Sequence, residues 1–68
     1  MQMIPVESSN VSAIGYENGV IEVHFHNGYA YQYSGASEAL FRDFLAAPSK
    51  GKFVHQRLKD RLATIRLR

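Results

Sequence analysis

Apolar and polar positions alternate along the first half of the chain. Val11-Ser12-Ala13-Ile14-Gly15-Tyr16 and Val20-Ile21-Glu22-Val23-His24-Phe25-His26 flank Glu17-Asn18-Gly19. A period of two marks half-buried strands, and Asn-Gly between two such runs predicts a hairpin, because both residues tolerate the positive φ of a type I′ turn. A turn centred on Asn18-Gly19 pairs Glu17 with Val20, Tyr16 with Ile21 and Ile14 with Val23. Ile14, Tyr16, Ile21, Val23 and Phe25 then share one face, and Glu22, His24 and His26 take the other.

A second Asn-Gly, Asn27-Gly28, precedes Tyr29-Ala30-Tyr31-Gln32-Tyr33. Two registers are open here. A two-residue turn places Tyr29, Tyr31 and Tyr33 on the polar face, whereas a three-residue turn with Gly28 as a left-handed bulge places them on the apolar face. Ser34-Gly35-Ala36 ends the alternation. Ser37 then reads as an N-cap with Glu38 in the first turn, and Leu40, Phe41, Phe44 and Leu45 fall at helical spacing. Ala47-Pro48 stops that helix, since the residue before proline avoids the α region. After the connector Ser49-Lys50-Gly51-Lys52, the spacing of Val54, Leu58, Leu62 and Ile65 predicts a second helix from Phe53 that gives out near Arg66-Leu67-Arg68. The expected fold is α+β: a small antiparallel sheet of three to four strands followed by two helices packed on one face.

The chain has 68 residues, 46% of them apolar, and no cysteine. One domain is all it can form, and such a domain buries only about 60% of the surface exposed by the unfolded chain. Neither disulfides nor a thiolate metal site can supplement that core. The leading Met1-Gln2-Met3-Ile4-Pro5 lacks a basic leader and no apolar run reaches membrane-span length, which points to a cytoplasmic protein away from membranes.

Charge is distributed very unevenly. Lys50 to Arg68 holds seven bases and one acid, a formal +6, while Met1 to Ser49 holds one base and five acids, a formal −4. A basic segment of that density suits a polyanion, because each cation placed near a phosphate releases a condensed counterion. Within it, Ser49, Lys50, Gly51 and Lys52 before a helix make a candidate phosphate site, with Arg57, Lys59 and Arg61 following. The order of Lys50 and Gly51 is the reverse of a P-loop. Tyr29, Tyr31 and Tyr33, if exposed, would form a stacking platform for bases.

Other constellations carry less. His24 and His26 sit on one strand face with Glu22, but without cysteine or an obvious fourth ligand no metal site is expected. No Ser-His-acid arrangement and no paired carboxylates point to catalysis, so a non-enzymatic protein without cofactors is expected.

Several short motifs, taken in order, resemble the KTSC domain family. They are Ser8-Ser9-Asn10 before the first strand, Ile14-Gly15-Tyr16, Phe25 with Asn27-Gly28, the Tyr31-Gln32-Tyr33 core, and Ala47 to Phe53 with an aliphatic at Leu58. The likeness runs from about Val6 to Arg61 and departs from the family pattern at His55 and Leu62. It implies a domain of about this size, found at the C-terminus of some lysyl-tRNA synthetases and as free-standing bacterial and phage proteins, with RNA binding implied by the synthetase context. The expected function is therefore RNA binding through the basic C-terminal segment and the tyrosine strand. The alternatives are a protein-interaction or self-assembly module, including a homo-oligomer, and a sequestering protein for small phosphorylated ligands.

Overall fold

The computed structural model describes the whole chain, Met1–Arg68. It contains strands β1 (Met3–Pro5), β2 (Val11–Glu17), β3 (Val20–Phe25) and β4 (Ala30–Ser34), then helix α1 (Glu38–Ala46). Helix α2 (Lys50–Phe53) continues into a π-helical turn (Val54–Leu58), and strand β5 (Ala63–Arg66) closes the chain. The strands form one antiparallel sheet in the order β1-β2-β3-β4-β5. The α+β class matches expectation, with five strands in place of three to four.

The first hairpin has the expected register. Glu17 pairs with Val20, Tyr16 with Ile21 and Ile14 with Val23, and Asn18 and Gly19 take φ of 50° and 80°. Between Val11 and Ala13 the register shifts by one residue, so that Val11 and Ile14 both turn inward and both are fully buried. The second hairpin adopts the three-residue turn. The Phe25 N–H donates to the Tyr29 carbonyl (2.9 Å), the Gly28 N–H donates to the Phe25 carbonyl (3.0 Å), and Gly28 takes a φ of 93°. Ile21 then pairs with Tyr33 and Val23 with Tyr31, which carries the tyrosines to the apolar face.

That face is covered by the helices. Val11, Ile14, Ile21, Val23 and Tyr33 meet Phe41 and Phe44 of α1 and Phe53, Val54 and Leu58 of the second helical segment. Phe44 and Phe53 stack with centroids 4.8 Å apart, and Tyr16 stacks on Phe41 at 5.6 Å. Ser37 caps α1 as expected, accepting from the Leu40 N–H at 3.0 Å. No helix is long and apolar enough to cross a membrane.

The chain after Leu58 departs from the sequence reading. The second helix ends there, Asp60 turns the backbone at a φ of 63°, and Ala63–Arg66 becomes a strand. Aspartate is one of the few residues that tolerates this left-handed conformation. The competing demand is the outer edge of β4, whose N–H and C=O groups need partners. β5 meets it, pairing Tyr31 with Arg66, Gln32 with Ile65 and Tyr33 with Thr64. Leu62 stays half-buried against the core from within the turn, whereas Ile65 points to solvent. A second departure is β1, a three-residue edge strand paired to β2 from Met3–Gly15 to Pro5–Ala13, and an edge position is where a residue without an N–H is tolerated.

On the opposite face Glu22 accepts from the Gln32 amide (2.9 Å) and pairs with His24 (2.5 Å). The Gln32 hydrogen bond, with further contributions from His24, outweighs partial burial and holds the Glu22 carboxyl below its ordinary value of 4.5. Its ionised form therefore stabilises the fold above that pH, and the contribution disappears as pH falls through the lowered folded value. Unfolding at decreasing pH should show this directly. Glu22→Gln should lose less stability than the wild type between neutral pH and mild acid, and an identical acid limb in both would contradict the network's role.

Candidate nucleic-acid interface

The basic segment does not form one helical face. Ser49 caps α2, its Oγ accepting from the Lys52 N–H at 3.3 Å. Lys50 folds back on α1 and donates to the carbonyls of Ala47 (2.6 Å) and Leu45 (3.1 Å). Those carbonyls belong to the helix end that lacks internal donors, so the Lys50 ammonium serves as a C-terminal cap. Gly51 abuts Asn10; a Cβ there would approach Asn10 Nδ2 to 3.1 Å. Lys52 remains exposed and lines a polar hollow of about 520 Å³ with Ser9, Asn10, His55 and Gln56. Arg57 lies 3.7 Å from Asp43 and stacks on the Phe53 ring at 5.1 Å, over the helical side of the molecule.

A different grouping forms where the helices leave the inner face uncovered. Phe25, Tyr31, Tyr33, Val54, Lys59 and Thr64 line a groove of about 270 Å³. Phe25 meets Tyr31 edge to face at 5.9 Å, and the Tyr31 and Tyr33 rings lie side by side at 6.4 Å. Tyr33 buries its ring at 4% exposure, and burial pushes its phenol above the usual value of 10.0. At the end of this row Tyr29 is 44% exposed, with the Arg66 guanidinium 4.2 Å from its ring centroid. Arg66 Nε also donates to the Arg68 carbonyl (3.2 Å), which holds the guanidinium plane in place.

Two local features build this arrangement. The π-helical turn closes with the Lys59 N–H donating to the Val54 carbonyl (2.7 Å), and it brings Val54 and Lys59 to the same groove. Pairing of β5 sets Arg66 opposite Tyr31 and Thr64 opposite Tyr33. Of the residues singled out in the sequence, the structure thus brings together Tyr31, Tyr33 and Lys59 in the groove, with Tyr29 outside its lining and joined to it through Arg66. Ser49, Gly51 and Lys52 line the separate polar hollow, and Arg61 lies exposed in the turn before β5. Arg66, Thr64 and Phe25 were not among the predicted site residues. The β-branched Thr64-Ile65 pair, read as a strand, would have placed the first two.

The family model for the KTSC domain matches residues 7–61, the interval that holds β2 to β4 and both helical segments. This chain belongs to the KTSC domain family. The crystal structure of a KTSC domain protein from Yersinia pestis is similar, with a TM-score of 0.90 and 34% identity over 98% of this chain and 97% of that one. A protein of Tsukamurella paurometabola is 37% identical over 67 residues, covering 96% of this chain and all of its own length. Three segments that carry the KTSC likeness, around Ser9-Asn10, Asn27 and Ser49 to Lys52, come together around the Ser9-Asn10 loop. The Tyr31-Gln32-Tyr33 core supplies the groove.

The Lys50 contacts predict a structural role for that lysine. Lys50→Met should lower stability by about 1 kcal/mol in urea denaturation, as loss of a charge-assisted cap at an accessible site implies. Unchanged stability would show that its bonds to α1 contribute nothing.

Proposed function

We propose that this chain is a non-enzymatic RNA-binding module of the cytoplasm, contacting its ligand through the tyrosine-bearing strand and the basic residues of the C-terminal segment. The observation that carries this reading is the Arg66–Tyr29 stack, exposed to solvent at the open end of the row that runs through Tyr31 and Lys59. A cation held over an aromatic ring, next to further exposed bases, offers RNA both of the interactions on which single-strand recognition rests. Phosphates gain from counterion release, and bases gain about 1–3 kcal/mol each from stacking on aromatic side chains. Lys59, Arg61 and Arg66 are the cations assigned to phosphate, while Lys50 is engaged with α1 and Arg57 with Asp43.

A second reading is favoured by one observation. Ile65 on β5 and Leu67 just beyond it are 56% and 45% exposed at an open edge of the sheet, which is where a strand from another chain would add. Arg66 at the end of β5 and Arg68 beyond it oppose pairing with a second copy, since two such edges would bring like charges together. Sequestration of small phosphorylated ligands would fall to the polar hollow beside Ser49 and Lys52. That hollow has no apolar lining residue against which a ligand's ring could pack.

Binding to fluorescently labelled single-stranded RNA, followed by anisotropy at several salt concentrations, tests the proposal. The wild type should bind with an affinity that falls steeply with salt. The triple variant Lys59→Glu, Arg61→Glu, Arg66→Glu should lose about a hundredfold in affinity and flatten the salt dependence. Retained affinity in that variant would contradict the assignment.

A further inference from the structure

The groove beside Tyr31 has a shape that a general affinity for phosphate would not need. Its floor consists of the Tyr31 and Tyr33 rings, Phe25 closes one side, and Val54 and Lys59 descend from the π-helical turn on the other. At about 270 Å³ it falls just below the roughly 300–1,000 Å³ of pockets that take whole small molecules. A planar ring fits a space of that size. The rim is cationic, with Lys59 lining the groove and Arg66 directly across the strand pair from Tyr31.

We infer that this groove takes a single unpaired nucleobase of an RNA strand, with the flanking phosphates meeting Lys59 and Arg66, so that the domain selects single-stranded over duplex RNA. The inference rests on the RNA reading above and adds which part of the RNA is recognised. A base within an A-form duplex has both faces stacked and its edge paired, and cannot enter a groove between a helix and a sheet. An unpaired base can be splayed out and laid on aromatic side chains.

Polar groups inside the groove favour a base over a purely hydrocarbon ring. Tyr33 lines the groove, and its phenol, protonated at neutral pH as in any tyrosine, offers an O–H donor. The Thr64 hydroxyl donates to the Leu62 carbonyl at 3.1 Å and thereby leaves its oxygen lone pairs as acceptors. Arg66 is already fixed over Tyr29 without a ligand, so little order has to be gained there on binding.

The test uses a single-stranded RNA carrying one 2-aminopurine and the same strand annealed to its complement. Wild-type protein should bind the single strand about tenfold or more tightly than the duplex and should quench the 2-aminopurine by stacking. Thr64→Met, at a solvent-exposed strand position, lays an aliphatic chain across the groove and should cost about tenfold on the single strand while leaving duplex affinity unchanged. Tyr31→Leu keeps an apolar filler and should give the same pattern with loss of quenching. Equal affinity for both RNA forms, unaffected by Thr64→Met and Tyr31→Leu, would overturn the groove assignment and leave the RNA reading standing. Absence of binding to either form would overturn both.

Discussion

The register of the β3–β4 hairpin is the constraint on which the rest of this structure depends. Gly28 adopts a φ of 93°, which makes the connection three residues long and sets Phe25 against Tyr29. Side chains alternate with a period of two, so one residue fewer in the turn would send every tyrosine of β4 to the other face. Tyr33 would leave the core, Tyr31 would leave the groove, and Tyr29 would lie away from Arg66. A side chain at position 28 would find open space around its Cβ, so the demand for glycine there is one of backbone conformation alone.

Given that register, the remaining architecture follows from what each exposed edge and face requires. The apolar face of β2 and β3 is matched by Phe41 and Phe44 of α1 and by Phe53, Val54 and Leu58 of the second helical segment. These helices cannot cover the whole sheet, and the uncovered part is the aromatic end near Phe25 and Tyr31. The edge of β4 is met by β5, and that pairing carries Arg66 to the tyrosines. The link between fold and proposed function is therefore short: the strand that completes the sheet also supplies the cation at the site.

Much of this was legible in the sequence where local chemistry decided the outcome. The Asn18-Gly19 turn, the Ser37 cap, the stop at Pro48 and the alternation of β2 and β3 all depend on residues close together in the chain. Gly28 permitted two registers, and only packing of Tyr33 among Ile21, Val23 and the helices distinguishes them. The second helix was read too long because Val54, Leu58, Leu62 and Ile65 fit a helical period. The vacant edge of β4, some thirty residues earlier, lies outside any local window, yet it decides the fate of Ala63–Arg66. The same pairing spreads the cations of the basic segment over two helical segments, a turn and a strand. Lys50, which looked like a phosphate ligand beside Gly51, instead closes the C-terminal end of α1.

The central claim is that the aromatic and cationic end of the sheet is the surface that meets RNA. Backbone amide shifts of the isotope-labelled protein, followed by NMR during titration with single-stranded RNA, test it most directly. The account predicts perturbations concentrated at Phe25, Tyr29, Tyr31, Lys59, Thr64 and Arg66. Perturbations centred on Ser9, Asn10 and Ser49 to Lys52, or none at all, would contradict it.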